Sequence, residues 1–293
     1  MNQSARSLRQ RTARTILVAL PDIRNSFFSL ILDAIERESA VRGYGVLVTN
    51  RFSGPNPARR LQEYFLSNRA DGLLLLDGSL DIEQLRLLTS EPISVPLVVA
   101  CEEIPGDFFH TVKTDNAAAA AQATRHLIEL GHTRIGHILG PIGNVLTGER
   151  LQGYTSAMHA ARLDIAPEWL LPGDFRMETG YDIATHFMEL QNRPTAIFAA
   201  NDESAIGFLS GLRQYGMECP RDISIVGFDD LPFAPHFLPP LTTIRQPREA
   251  LGRLAAEALI DILEGTGLPR GPVHIVLNSE MILRGSTARL PLR

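Results

Sequence analysis

Residues 15–41 read TILVALPDIRNSFFSLILDAIERESAV, and the fold turns on this stretch. Thr15–Leu20 is a continuous apolar run, the mark of a strand covered on both faces rather than of one half open to water. After Pro21 and Asp22, the run Phe27–Val41 sets Phe28, Ile31, Leu32 and Ile35 at helical spacing, and Gly43 ends it. A buried strand followed by an amphipathic helix is the first half of a βαβ unit. Further apolar runs follow at 46–49, 72–77 and 96–100, with helical stretches at 57–67 and 82–88 before the last two. The alternation predicts a parallel sheet with helices on both faces.

The pattern then begins again. Asp115 is placed to cap a helix over 116–130 that Gly131 closes. Strands are predicted at 134–139, 196–200 and 223–228, and helices at 150–161, 179–190 and 203–214. The run 242–246 leads into a helix over 249–264 and two late strands, 273–277 and 281–284. No low-complexity linker divides the two series. The expected fold class is therefore α/β, with two doubly wound parallel-sheet lobes joined by short crossovers. Residues 14–115 plus 247–277 form one lobe, residues 116–246 plus 278–290 the other, and residues 1–13 an arm outside both. In such a fold a ligand is expected in a cleft at the carboxyl ends of the strands.

Composition removes several classes of function. With 293 residues, 44% hydrophobic and 21% charged, the chain can bury a full core and is neither disordered nor fibrous. A net charge of −5 argues against a protein that coats nucleic acid with its whole surface. The charge is uneven, because residues 1–14 carry Arg6, Arg9, Arg11 and Arg14 with no acid, which leaves −9 for the remainder. Cys101 and Cys219 stand far apart, without the spacing of a disulfide framework or a zinc site. No apolar stretch approaches a membrane span, and Arg and Gln occupy the place where a secretory signal has its apolar centre. A cytoplasmic protein without a membrane partner is expected.

Catalytic motifs are not found: there is no HExxH, no GxSxG elbow, and no GxGxxG after a strand. The segment 143–148, GNVLTG, follows a strand in the manner of a phosphate loop. Glu149 and Arg150 come next, however, where Lys and Ser or Thr are required, and Lys113 is the sole lysine. It reads as a plain βα connection. His126, His132 and His137 lie where packing or surface roles are expected, and the histidines show no metal-pair spacing. Asp229 and Asp230 are adjacent and so point apart, one toward a ligand and one structural. The reading is of a protein that is not an enzyme and that uses no cofactor and no metal.

What does stand out is a set of polar and aromatic residues where strands end. Phe27 and Phe28 follow the first strand, Arg150 begins a helix, and Phe175 follows Gly173 and Asp174. Asn201 and Asp202 end the strand at 196–200, Asp229 ends that at 223–228, and Gln246 follows 242–244. Aromatic faces pack on the C–H surface of a polyhydroxylated ring, and planar polar groups bind its neighbouring hydroxyls in pairs. Blander roles stand beside these. One phenylalanine is expected in the core, Arg150 could pair at the surface or cap a strand end, and Asn201–Asp202 could simply cap the next helix. The shared location lifts the set above its members.

These segments resemble the LacI/GalR family of bacterial repressors, whose core is similar to type I periplasmic sugar-binding proteins. The resemblance is carried by residues 15–28, 71–77 (DGLLLLD), 115–116, 126–140 (HLIELGHTRIGHILG) and 150–154 (RLQGY). It continues through 173–175, 194–202 (PTAIFAAND), 225–230 (IVGFDD), 239–247 (PPLTTIRQP) and 284–287. Each motif is weak alone; their order and spacing over nearly the whole chain are specific. The resemblance implies effector contacts at Phe27, Arg150, Phe175, Asn201, Asp229 and Gln246, with Phe28 as neighbour and Asn25 matching the ribose-binding pattern N-x-F-F. At Cys101–Glu102, sugar-binding relatives often carry Asp-Arg, so Cys101 puts a thiol among the effector contacts where a carboxylate would hold a diol. The beginning and end look closest to the cytidine-repressor branch, which implies a nucleoside, pentose or other sugar as effector.

The basic arm fits the same resemblance. Residues 3–9, QSARSLR, resemble the hinge helix that packs in the DNA minor groove, with Leu8 as the wedge and Ala5, Arg6 and Arg9 flanking it. The helix-turn-helix headpiece has no counterpart before Asn2, which reads as a core fragment expected to bind operator DNA weakly or not at all. The implied partners are a small-molecule effector, operator DNA through the headpiece, and a second copy in a homodimer. A periplasmic sugar-binding protein of a transport system is the alternative, and has no need of the arginine-rich arm.

Overall fold

The computed structural model describes residues 12–50, 57–78, 80, 82–89, 94–104, 108–266 and 271–290. They divide into two compact units. One comprises the described residues up to Thr114 with Pro247–Leu277, and the other Asp115–Gln246 with the described residues from Asn278 onward. No helix among the described residues is long and apolar enough to cross a membrane.

The first unit is built on a six-stranded sheet of β1 (Thr15–Leu20), β2 (Gly45–Asn50), β3 (Gly72–Leu75), β4 (Leu97–Cys101), β5 (His110–Thr114) and β11 (His274–Leu277). The strands lie in the order β11-β5-β4-β3-β1-β2 and every pairing is parallel. Alternate residues supply the two faces. Leu17, Ala19, Leu73, Leu75, Leu97 and Val99 join Leu61 of α2 (Pro57–Leu66) and Leu85 and Leu88 of α3 (Ile82–Thr89) in one apolar cluster. Helices α1 (Phe27–Val41) and α8 (Arg248–Glu264) pack together, and α8 also covers β3, β4 and β5. A side chain at Gly252 would fall on the carbonyl of Ile31, which sets the closeness of the α1–α8 crossing. The carboxylate of Asp71 receives the amides of Ala13 (2.8 Å) and Thr15 (3.2 Å), fixing the chain where it enters β1.

The second unit repeats the plan with β6 (Ile135–Ile138), β7 (Leu170–Leu171), β8 (Ala196–Ala199), β9 (Ser224–Asp229), β10 (Thr242–Arg245) and β12 (Glu280–Ile282). The order is β12-β10-β9-β8-β6-β7. One face packs on α4 (Asn116–Glu129) and α5 (Val145–Ala160) through Leu127, Ile135, Tyr154, Phe198, Phe228 and Ile244. The other packs on α6 (Met177–Glu189) and α7 (Asp202–Arg213) through Ile138, Phe187, Ile197, Phe208 and Leu212. In both units the second strand lies on one side of the first and the later strands on the other. The order therefore reverses between β1 and β3, and again between β6 and β8. Such reversals open a crevice at the carboxyl ends of the strands.

The two-lobed, doubly wound α/β expectation is met, with four departures. Strands β5 and β7 are additions to the sequence reading: β5, HTVKT, carries no continuous apolar run, and β7 is two residues long. Strand β2 is mostly exposed rather than buried on both faces, because it forms the edge of its sheet. Strand β12 runs antiparallel to β10. Helix α5 starts at Val145 rather than at Arg150, because the Asn144 side chain accepts from the amides of Leu146 (2.9 Å) and Thr147 (3.3 Å) and caps it there. The segment 143–148 is thus mostly the first turn of a helix and not a connecting loop.

Candidate functional site

The residues singled out in the second unit form two groups, Arg150, Phe175 and Asn201 around the end of β8, and Asp229 with Gln246 at the ends of β9 and β10. Arg150 sits in the second turn of α5, 3% exposed. Its Nε donates to Asn116 Oδ1 at 3.1 Å and its Nη1 to the carbonyl of Ala200 at 2.5 Å, just past the end of β8. The guanidinium lies 3.9 Å from the centroid of the Phe228 ring and 5.6 Å from that of Phe175. Buried among aromatic faces, the charge regains from their quadrupoles and from its two hydrogen bonds part of what it loses in hydration.

Phe175 reaches this place through a left-handed backbone at φ 68°, and its ring lies where a side chain on Gly140 would stand. The Asn201 side chain does two things. Its Oδ1 caps α7 by accepting from the Ser204 amide (3.0 Å), and its Nδ2 donates to the Phe175 carbonyl (2.8 Å). The helix-capping role expected of Asn201 is therefore met, and the same side chain also holds the Phe175 backbone. Asp229 and Gln246, each 5% exposed, are joined by a 2.7 Å bond from Gln246 Nε2 to Asp229 Oδ1.

Asp229 and Asp230 take different partners. Asp230 is structural: its carboxylate takes Arg245 Nε at 2.7 Å and Arg284 Nη2 at 2.6 Å. Both aspartates have positive φ, 111° and 52°. Asp202, fully buried, receives the Leu231 amide at 2.8 Å and the Thr243 hydroxyl at 2.5 Å. Burial, followed by the charge of Asp229, holds the Asp202 carboxyl well above the usual carboxylate range.

In the first unit, Asn25 Oδ1 accepts from the Phe27 amide at 2.8 Å, which opens α1. The Phe27 and Phe28 rings meet edge to face at 5.2 Å, and both are buried, where one had been expected in the core. The Arg248 guanidinium stands 6.0 Å from the Phe27 ring centroid. Cys101 is buried at the end of β4 with φ 72°. Beside it, buried Glu102 accepts from the Gly78 amide at 2.9 Å, and buried Asp77 follows β3. The hinge residues Ala5, Arg6, Leu8 and Arg9 lie outside the described residues.

Sequence reading missed Asn116, Phe228, Thr243 and Arg248 as partners of the site. Asn116 follows the Asp115 cap, and Phe228 passes for an ordinary core residue of β9. Only the fold shows that Asn116 and Phe228 face Arg150, that Thr243 faces Asp202 and that Arg248 faces Phe27. Of the three histidines, His126 bonds Thr287, His132 bonds Thr195, Ser224 and Ala288, and His137 stacks on Phe198 at 4.6 Å. Among the described residues no cluster of His, Cys, Asp and Glu is arranged to hold a metal ion.

Two α/β units of like topology, with polar and aromatic side chains at their strand ends, define a small-molecule binding fold. In agreement, residues 124–287 match the periplasmic binding protein-like domain. The HTH-type transcriptional repressor CytR of Escherichia coli (strain K12) is 37% identical over 290 residues, which is 98% of this chain and 83% of that protein. The HTH-type transcriptional repressor PurR of Actinobacillus pleuropneumoniae serotype 3 (strain JL03) is 31% identical over 98% of this chain and 84% of its own. Among solved structures, the complex of the transcriptional regulator CelR with cellobiose has a TM-score of 0.85 at 30% identity, covering 96% of this chain and 89% of that one. The chain belongs to the LacI/GalR family of transcriptional regulators and carries its effector-binding core. Its role is regulatory rather than enzymatic, and the repressor relatives speak against the transport alternative.

Proposed function

We propose that the effector is a small polyhydroxylated ring, a pentose or nucleoside before other sugars, held by Arg150, Phe175, Asn201, Asp229 and Gln246. Asn25, Phe27, Phe28 and Cys101 are the first unit's effector residues in this reading. The observation that carries it is the fixed guanidinium of Arg150 beside Phe175, with Asn201 bonded to that same phenylalanine and the Asp229–Gln246 pair on neighbouring strand ends. These groups offer a flat apolar face and several oriented donors and acceptors, which suits a ring with adjacent hydroxyls. Cellobiose in the CelR complex is a ligand of that chemical kind.

The regulator works as a homodimer on operator DNA, through a helix-turn-helix headpiece of the kind its HTH-type relatives are named for. The minor-groove contact is assigned to Ala5, Arg6, Leu8 and Arg9 on sequence grounds. Effector binding changes operator affinity only in so far as the effector prefers one of the regulator's two states. The protein acts in the cytoplasm, where its operator is.

Thermal unfolding of the chain against D-ribose, cytidine, adenosine and cellobiose tests the ligand class. A ligand bound only by the folded state raises Tm in proportion to RT ln(1 + [L]/Kd). A pentose or nucleoside is expected to raise it, and Arg150→Met and Asp229→Ala to abolish the rise while each variant still unfolds cooperatively. A rise that survives both substitutions would overturn the residue assignment.

A further inference from the structure

Next to the residues assigned to the effector lies a fully buried carboxyl, that of Asp202. Asp202 starts α7 just after β8, and its side chain passes across β9 to reach β10. It can do so because position 227 is glycine: a side chain there would fall on Asp202 Oδ1. Gly227 pairs with Thr243 in the β9–β10 register, and the Thr243 hydroxyl donates to that same oxygen at 2.5 Å. The other oxygen, Oδ2, accepts the amide of Leu231 at 2.8 Å. One carboxyl thereby joins the end of β8, the turn after β9 and the middle of β10.

Each of those points is a step or a few from an effector residue. Asn201 precedes Asp202, Asp229 and Asp230 precede Leu231, and Gln246 is three residues past Thr243. The turn at 229–230 is also strained, with two consecutive side-chain-bearing residues at φ 111° and 52°. Such conformations persist only where surrounding bonds over-determine them. Here Asp230 is held from one side by Arg245 and Arg284, and Leu231 from the other by Asp202.

We propose that Asp202 is the positioning residue of the effector site, holding the strained 229–230 turn so that Asp229 is presented in register with Asn201 and Gln246. The proposal rests on the effector reading above for its functional meaning, but the clamp itself is testable without any ligand. Asparagine at 202 can keep both bonds, its oxygen accepting from Leu231 and its amide donating to the Thr243 hydroxyl. Alanine keeps neither.

Two measurements on wild type, Asp202→Asn, Asp202→Ala and Thr243→Val decide it. In amide hydrogen exchange, protection at Leu231 is expected to be retained by Asp202→Asn and to fall at least tenfold in Asp202→Ala, ahead of the loss at buried β8 amides. In calorimetric titration with D-ribose and cytidine, Asp202→Asn is expected within about twofold of wild type, Asp202→Ala at least tenfold weaker and Thr243→Val weaker by several-fold. Thr243→Val carries the test if Asp202→Ala does not fold. Unchanged Leu231 protection in a folded Asp202→Ala, unchanged affinity in Thr243→Val, or an affinity loss in Asp202→Asn as large as in Asp202→Ala, would overturn the proposal. If wild type binds neither compound, the ligand class fails, and the exchange result still decides the clamp.

Discussion

Arg150 shows how much a single buried side chain can be asked to do. Its guanidinium satisfies the Ala200 carbonyl beyond β8, bonds Asn116 at the start of α4, and lies against Phe228. Lysine has no fork with which to hold two partners at once and stacks less well on a ring. Arg150→Lys is expected to lower effector affinity at least tenfold and to lower Tm, read by calorimetric titration and thermal unfolding. His137 makes a second prediction at this scale. Burial lowers its pKa to about 4, against the ordinary 6.5. The folded state thus holds the ring neutral where the unfolded chain takes up a proton. Its contribution is present above pH 6.5 and is lost as pH falls toward 4, at up to roughly 1.4 kcal/mol per pH unit. His110, His126 and His132 are lowered by burial as well and act with the same sign. Over that window His137→Phe is expected to lose less stability than wild type, and equal losses would refute the assignment. Residue types were legible here: Arg150, Asn201 and Asp229 stand out as polar groups beside apolar runs, although each also bonds a neighbour, Arg150 the Ala200 carbonyl, Asn201 the Ser204 amide and Asp229 the Gln246 side chain. Phe228 could not, because a phenylalanine inside a buried strand looks the same whether or not a guanidinium lies on it.

At the scale of elements, the helix pair α4–α5 is set by a close backbone crossing. A side chain on Gly153 would fall on the Ala117 carbonyl, and the Ala120 methyl would stand 2.8 Å away. Gly153→Val forces the helices apart and is expected to cost about 2–3 kcal/mol in chemical denaturation, as overpacked cores do. Because α4 supplies Asn116 and α5 supplies Arg150, the same variant is expected to weaken effector binding. The start of α5 gives a gentler test: Asn144→Ala removes the cap over Leu146 and Thr147, at a cost of about 1 kcal/mol. Apolar periodicity revealed the buried strands β1, β3, β4, β8 and β9 because each is covered on both faces. It did not reveal β5, whose alternate polar residues include Lys113, bonded to Glu103, and Thr111, bonded to His274. Nor did it find the true start of α5, which depends on one asparagine side chain rather than on hydrophobic spacing.

Across the whole molecule, one strand order is used twice, with the second strand on one side of the first and the later strands on the other. The same arrangement of chain brings widely separated positions of the second unit together: Arg150 bonds Asn116 and the Ala200 carbonyl, Asn201 bonds the Phe175 carbonyl, and Gln246 bonds Asp229. A regulator built on such a core must obey reciprocity: whatever factor the effector applies to operator affinity, operator DNA applies to effector affinity. In a regulator carrying its headpiece, the two factors, measured by fluorescence anisotropy and by calorimetry, are expected to agree. A large effect of effector on operator binding with no return effect would exclude the linked two-state account.

The most direct test of the central claim is a calorimetric titration of D-ribose and of cytidine into the wild-type chain and into Asp229→Ala, side by side. The account predicts saturable one-site binding of at least one of the two by wild type and none by a folded Asp229→Ala. Equal binding by both proteins, or none by wild type, would contradict it.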